Sequence, residues 1–286
     1  MIELGSIGVW SAGLRFGDRG EVGEAAAEFE ELGYGALWFP GYAHTGTLAV
    51  AAELLEATTS IPVATGIVNI WLEDAVSVAA DDATLRAKYP GRFLLGIGVS
   101  HAALIGADYV HPLQAMRGYL DALDTANSPV AAGDRVIAAL GPRMLELARQ
   151  RSAGSHTYLS SPECTRTARE ALGPGKLLAV EQTVVLDSDP RQARTAARAF
   201  LAPYLGLPNY TGNLKRANGF TETDFVDRGS DRLVDAAIAW GDEQAIRRRV
   251  YDHLEAGADH VCIYIASEAE ELSRETLRRL APAVLS

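Results

Sequence analysis

Two short loops carry the residue types that hold an anion. Gly141-Pro142-Arg143 sets a flexible residue and a proline ahead of a predicted helix, with an arginine in its first turn. Ser160-Ser161-Pro162 offers hydroxyl caps and a second such proline, with Thr165 and Arg166 one turn later. Free N–H groups and the positive dipole end at a helix start favour phosphate or carboxylate. The alternative for each loop is ordinary helix capping; two such loops after neighbouring strands favour the phosphate reading. Trp10, Trp38 and Trp71 fall at or near predicted strand ends, where a flat ring can pack. The alternative for each is a tryptophan that fills the core.

Other chemistries lack their residues. No His-x-His follows the first strand and no carboxylate cluster was found at the strand ends, so the ligand set of a metal hydrolase is missing. We find no pair of acidic residues at strands 4 and 7 for glycoside hydrolysis and no Gly-x-Ser-x-Gly elbow. Gly96-Ile97-Gly98-Val99-Ser100-His101 lacks the third glycine of a dinucleotide fingerprint.

These residues must be positioned by a chain of 286 residues, 48% hydrophobic and 22% charged, with mean hydropathy near zero. That is enough for one large core. No run of 18 apolar residues occurs, which argues against a membrane span. Met1 to Gly5 lack the basic and apolar regions of a secretory leader. Two cysteines, Cys164 and Cys262, make no disulfide framework, and a cytoplasmic, reducing compartment is expected. The net charge of −11 argues against nucleic acid as a partner and leaves room for an anionic small molecule. Lysine occurs only at Lys88, Lys176 and Lys215 beside abundant arginine and alanine, a mark of genome bias.

Apolar runs alternate with helical patterns along the whole chain. Strands are predicted at 7–10, 36–39, 62–68, 93–99, 136–140, 156–159, 177–186 and 260–265, with helices at 21–33, 46–58, 74–88, 113–124, 142–151, 162–171, 190–205, 231–239, 242–256 and 268–284. The strands are continuously apolar, as parallel strands covered on both faces are. Eight such units predict a (β/α)8 TIM barrel, with an open doubly wound sheet as the alternative. No linker interrupts 1–286, so a single domain is expected. Residues 206–229 read as a polar, irregular insertion before the last unit. It is expected to cover the barrel mouth, with Tyr210, Asn213, Lys215 and Arg216 available to a ligand.

A barrel of this kind keeps its site at the carboxyl ends of the strands. Those ends carry Trp10 and Ser11; Pro40, Gly41, Tyr42 and His44; Val68, Asn69, Ile70 and Trp71; Ser100 and His101; Leu140 to Arg143; Ser160 to Pro162; Asp187 and Ser188; and Ala266 and Ser267.

The chain resembles the luciferase-like monooxygenase superfamily, and within it the actinobacterial branch that uses coenzyme F420. The resemblance runs nearly end to end and is carried by GIVNIW (66–71), YPGRFLLGIGVSHAALI (89–105), AALGPRMLELARQRSAG (138–154), LPNYTGNLKRANGF (207–220), SDRLVDAAIAWGD (230–242) and EAGADHVCIYI (255–265). It implies the barrel, hydride transfer to or from a deazaflavin and a small-molecule substrate. FMN is the alternative cofactor, and a protein that binds F420 without turnover is a third reading. It also implies a bulge at the end of strand 3 with a non-proline cis peptide, placed by position at Val68-Asn69. The implied cofactor contacts are Trp10, Pro40, Gly41, Val68, Asn69, Val99, Ser100, His101, Leu140, Gly141, Pro142, Arg143, Tyr158, Leu159, Ser160 and Ser161. His101 is the leading candidate to move a proton, with His44 second, because a neutral imidazole near pH 7 suits that task. The alternative for His101 is a cofactor contact. Asn69 is placed to bond the ring edge or to support the bulge. Homodimers are common among such proteins. Two positions depart from the family pattern: Pro40-Gly41 stand where relatives carry an acid or histidine, and Tyr264 stands where they tend to carry glutamine.

Overall fold

The computed structural model describes residues 2–41, 45–266 and 271–286. Its apolar segments form nine strands: β1 (Ile7–Trp10), β2 (Leu37–Gly41), β3 (Val63–Asn69), β4 (Phe93–Gly98), β5 (Arg135–Ala138), β6 (Gly154–Thr157), β7 (Leu177–Val185), β8 (Ala239–Trp240) and β9 (His260–Ile265). All pairings are parallel. β1 to β7 pair in chain order, and β9 joins β7 to β1, which closes the ring. Eight strands with their helices therefore make the expected TIM barrel, and the open sheet is excluded. The ninth, β8, is two residues long and was not anticipated. It pairs Ala239 and Trp240 with Val184 and Val185, beyond the point where β6 stops pairing with β7.

Alternating strand residues serve two cores. Outward residues such as Leu37, Phe39, Phe93, Leu95 and Ile97 pack with Leu54, Leu55 and Leu120 of the surrounding helices. Inward residues, among them Ala36, Trp38, Ala64, Leu94, Val136, Ala179 and Cys262, fill the barrel. Trp38 takes its core reading: it is fully buried, donates from Nε1 to His260 Nε2 at 3.0 Å and stacks on His156 with ring centroids 4.4 Å apart.

The segment 206–229 is not irregular. It holds an 11-residue helix, Pro208–Asn218, started by a proline and ended by Gly219 in the left-handed conformation, then a 3-10 turn at Glu222–Asp224. Asn209, Gly212, Asn213 and Asn218 lower its helix propensity and hide it from a periodicity reading. Packing decides the matter. Tyr210 and Leu214, four residues apart, lie in a second cluster with Phe220, Leu233 and Val234. The strand predicted at 156–159 lies at Gly154–Thr157, so Tyr158 and Leu159 fall just beyond it, and Leu159 has a φ of 53°. The last helix is Arg274–Val284.

Candidate active site at the carboxyl rim of the barrel

Aromatic rings dominate the rim. Trp10, at the end of β1, lies 5.3 Å from the Tyr158 ring and 4.6 Å from the Tyr264 ring. The Tyr158 hydroxyl meets that of Tyr204 at 3.1 Å, and the Tyr158 ring lies 6.0 Å from that of Tyr210. Helix Pro208–Asn218 supplies Tyr210 and covers this side of the mouth. Its Arg216 donates to the Leu140 carbonyl at 3.1 Å, and Asn218 bonds Ser161 and Glu163. Lys215 is paired with the exposed Glu222 at 2.5 Å.

Beneath and around these rings lie buried polar atoms with no partner among the described residues: Trp10 Nε1, Ser11 Oγ, Ser100 Oγ, His156 Nε2, Thr157 Oγ1 and Ser160 Oγ. Buried polar groups are normally paired, because leaving one unpaired costs about 1–3 kcal/mol. Except for His156, which sits within β6, these six come from the ends of β1, β4 and β6 and the turns after them. Such a set of hydrogen-bonding atoms under aromatic walls fits a flat polar ring system.

Most of the predicted residues meet at this rim. His101 Nε2 lies 3.2 Å from the Tyr210 hydroxyl, and its Nδ1 lies 3.4 Å from Asn209 Nδ2. Burial holds its imidazole below the usual histidine range, so it is neutral at about pH 7. Ser100 precedes it with a φ of 54°, and Val99 accepts from Trp71 Nε1 at 2.7 Å. Trp71 also packs on Tyr109, with ring centroids 5.8 Å apart. Gly141 caps the helix Pro142–Arg151, and a Cβ there would meet nothing within 4 Å. Arg143 is exposed and borders a cleft of about 600 Å³ with His111 and Arg117. His44 and Tyr42 lie outside the described residues.

Several predicted roles change. The cis peptide is at Gly66-Ile67 rather than Val68-Asn69, within a break in register against both β2 and β4. Gly66 is the residue that faces Trp10 and His156: a Cβ there would stand 2.5 Å from Trp10 Nε1 and 3.3 Å from His156 Nε2. The irregular backbone thus falls where the strand has no side chain, and Val68 packs in the outer core. Asn69 accepts from the Trp71 amide at 3.1 Å through Oδ1. The Pro40 carbonyl accepts from Arg15 at 3.0 Å. Gly41 leaves no room for a side chain, since a Cβ would come within 2.6 Å of the Ile67 carbonyl and of Thr47 Oγ1. Of the two serines after β6, Ser161 is a helix cap, accepting from Cys164 N at 3.2 Å, while Ser160 keeps its hydroxyl unpaired. Thr165 is buried and its hydroxyl bonds His253 at 2.7 Å.

One residue was missed. Glu181, in the middle of β7, is fully buried and accepts from Leu159 N at 2.9 Å and from Thr183 Oγ1 at 2.5 Å. The signal was a single acid inside the nine-residue run LLAVEQTVV, where burial makes a charge costly. Among the described residues there is no group of three or more His, Cys, Asp or Glu able to hold a metal ion, and no helix is long and apolar enough to cross a membrane.

The chain is thus a closed parallel barrel with an aromatic, hydrogen-bonding carboxyl rim. The family profile for luciferase-like monooxygenases matches residues 7–260, and the chain belongs to that family. It is 26% identical over 252 residues to the 5,10-methylenetetrahydromethanopterin reductase of Methanolobus tindarius, covering 76% of this chain and 74% of that one. Among solved structures, it is similar to an F420-dependent secondary alcohol dehydrogenase in complex with an F420-acetone adduct, with a TM-score of 0.70, 19% identity and coverage of 98% and 99%. It is also similar to the oxygenating constituent of 3,6-diketocamphane monooxygenase of Pseudomonas putida in complex with FMN, with a TM-score of 0.67, 14% identity and coverage of 98% of each chain.

Proposed function

We propose that the protein is an oxidoreductase that transfers a hydride between coenzyme F420 and a small organic substrate. The observation that carries this reading is the set of unpaired buried donors and acceptors under the aromatic rim. The deazaflavin, when bound, accepts or donates the hydride at one ring carbon. Trp10, Ser11, Ser100, Thr157 and Ser160 would hold its polar atoms, and the Gly141-Pro142-Arg143 loop, with its basic cleft, suits its anionic part. Trp10, Tyr158, Tyr204 and Tyr210 keep water from the rim. His101 Nε2 takes or returns a proton there, a task for which a neutral imidazole is suited. A similar FMN-bound structure supports the second reading, an FMN-dependent monooxygenase or reductase on the same rim.

Titrating the apoprotein with each cofactor, followed by tryptophan quenching, separates the two. Tight F420 binding with weak FMN binding is expected, and the reverse order selects the second reading. Tight F420 binding without hydride transfer to any of a broad substrate panel would make the chain a binding protein. Two variants locate the site. His101→Ala is expected to lower kcat by about 10²–10⁴-fold with little change in cofactor affinity; a loss of affinity alone would make it a cofactor contact. Gly141→Leu places a side chain in open space without strain, so an unchanged melting temperature and an affinity weakened about tenfold are expected.

A further inference from the structure

Glu181 reaches the rim through one backbone amide. The Leu159 N–H donates to its Oε2 at 2.9 Å, and the Thr183 hydroxyl donates to its Oε1 at 2.5 Å. Leu159 has a φ of 53°, uncommon for a residue with a side chain. Its buried amide finds its acceptor in Glu181 at the point where the chain turns from Tyr158 into Ser160 and Ser161. On one side of that turn stands Tyr158, packed on Trp10 and bonded to Tyr204. On the other stands Ser160, with its unpaired hydroxyl. We propose that Glu181 is a positioning residue that sets the Tyr158–Ser161 turn, and with it the ligand affinity of the rim, according to its own protonation state. The affinity half of this rests on the rim being the cofactor site.

The hydrogen bonds give the direction. An ionised carboxylate accepts from both partners, and its bond to the Leu159 amide is charge-assisted. A proton on Oε1 reverses the Thr183 bond and leaves the amide facing a neutral carbonyl, a weaker acceptor. Burial pushes the Glu181 carboxyl up to about 7, opposed by the bonds from Thr183 and Leu159. Among the described residues, the titratable groups around it are His156 of β6, Tyr158 just beyond it, His260, Cys262 and Tyr264 of β9, Tyr204, and Tyr210 of the rim helix. Burial holds His156 at about 3 and His260 at about 4, and it raises Tyr158, Tyr210 and Cys262 well above their usual ranges. No arginine or lysine acts on the Glu181 carboxyl. Among these described groups, Glu181 is poised to change charge near neutrality.

The test uses the full-length apoprotein and the Glu181→Gln variant. Glutamine keeps the shape, accepts from Leu159 and donates to Thr183 at every pH. Infrared difference spectra of the wild type are expected to show a buried carboxylic acid band that titrates near neutrality and is lost in the variant. Hydrogen exchange over 158–161 is expected to speed up as that band grows, and to lack this step in the variant. F420 affinity of the wild type is expected to fall about five- to tenfold between roughly pH 8 and pH 6, and to stay flat in the variant. A band that persists in Glu181→Gln, or exchange that ignores the titration, overturns the proposal. So does an F420 affinity that falls alike in both proteins. If band and exchange behave as expected but neither F420 nor FMN binds at any pH, control of the turn stands and the cofactor reading is what fails.

Discussion

Replacing Gly66 by alanine is expected to cost the protein its cofactor affinity, by about a hundredfold or more, while leaving it folded. The added Cβ would stand 2.5 Å from Trp10 Nε1, a contact that real structures do not tolerate, so the Trp10 ring must move. It has little room to do so, with Tyr158 on one side and Tyr264 on the other. Overpacking of this kind costs about 1–3 kcal/mol. A domain of this size is expected to absorb that as a lowered melting temperature rather than by unfolding. Affinity suffers more, because the displaced indole is both a wall of the rim and one of its unpaired donors. Fluorescence titration with F420, read beside a thermal melt, checks both halves. Gly118→Ala is the matched control, since a Cβ there meets nothing within 4 Å and helix propensity favours alanine by about 1 kcal/mol. Wild-type affinity in Gly66→Ala would place the ligand away from Trp10.

The second large effect is on stability. Burial raises the Glu181 carboxyl from its ordinary 4.5 to about 7. A carboxyl raised on folding stabilises the native state fully below its unfolded value, and that contribution is lost as pH rises through the folded value. The shift is worth about 3 kcal/mol, lost between roughly pH 4.5 and pH 7 and constant above. Glu181→Gln removes this dependence. The difference in unfolding free energy between variant and wild type is therefore expected to move by about 3 kcal/mol in favour of the variant across that window. Denaturant melts at a series of pH values measure it. Other titrating groups are common to both proteins and cancel in the difference. Glu30, for which burial is outweighed by hydrogen bonds from Thr59, Ser60 and Ile61 that hold it at about 2, titrates below the window in any case. A difference that stays flat with pH would show that Glu181 is ionised throughout.

The two effects of Glu181 oppose each other. On this proposal its charge is costly to the fold and useful to the turn at Leu159.

The parallel α/β sheet was legible in the residues themselves. Runs such as Phe93–Gly98 and His260–Ile265 are apolar on both faces, and only a parallel sheet covered by helices outside and packed within satisfies such runs. The rim was legible too, because chain direction alone puts Trp10, His101, Gly141 and Ser160 at one end of a parallel barrel. Ring closure was not, since it depends on β9 pairing with β1 across nearly the whole length of the chain. Nor was the helix Pro208–Asn218, whose asparagines and glycine disfavour it locally and which exists because Tyr210 and Leu214 have a surface to cover. The surroundings of Gly66 were not legible either, because its neighbours Trp10 and His156 lie far from it in sequence. The importance of Glu181 rests on the same kind of fact. Its type and its apolar setting were in the sequence, but the partner that gives it a task, the Leu159 amide, comes from the adjacent strand's end and is fixed only when the strands are side by side. Local pattern sets what each segment can become, and contacts between distant segments decide which side chains share a site.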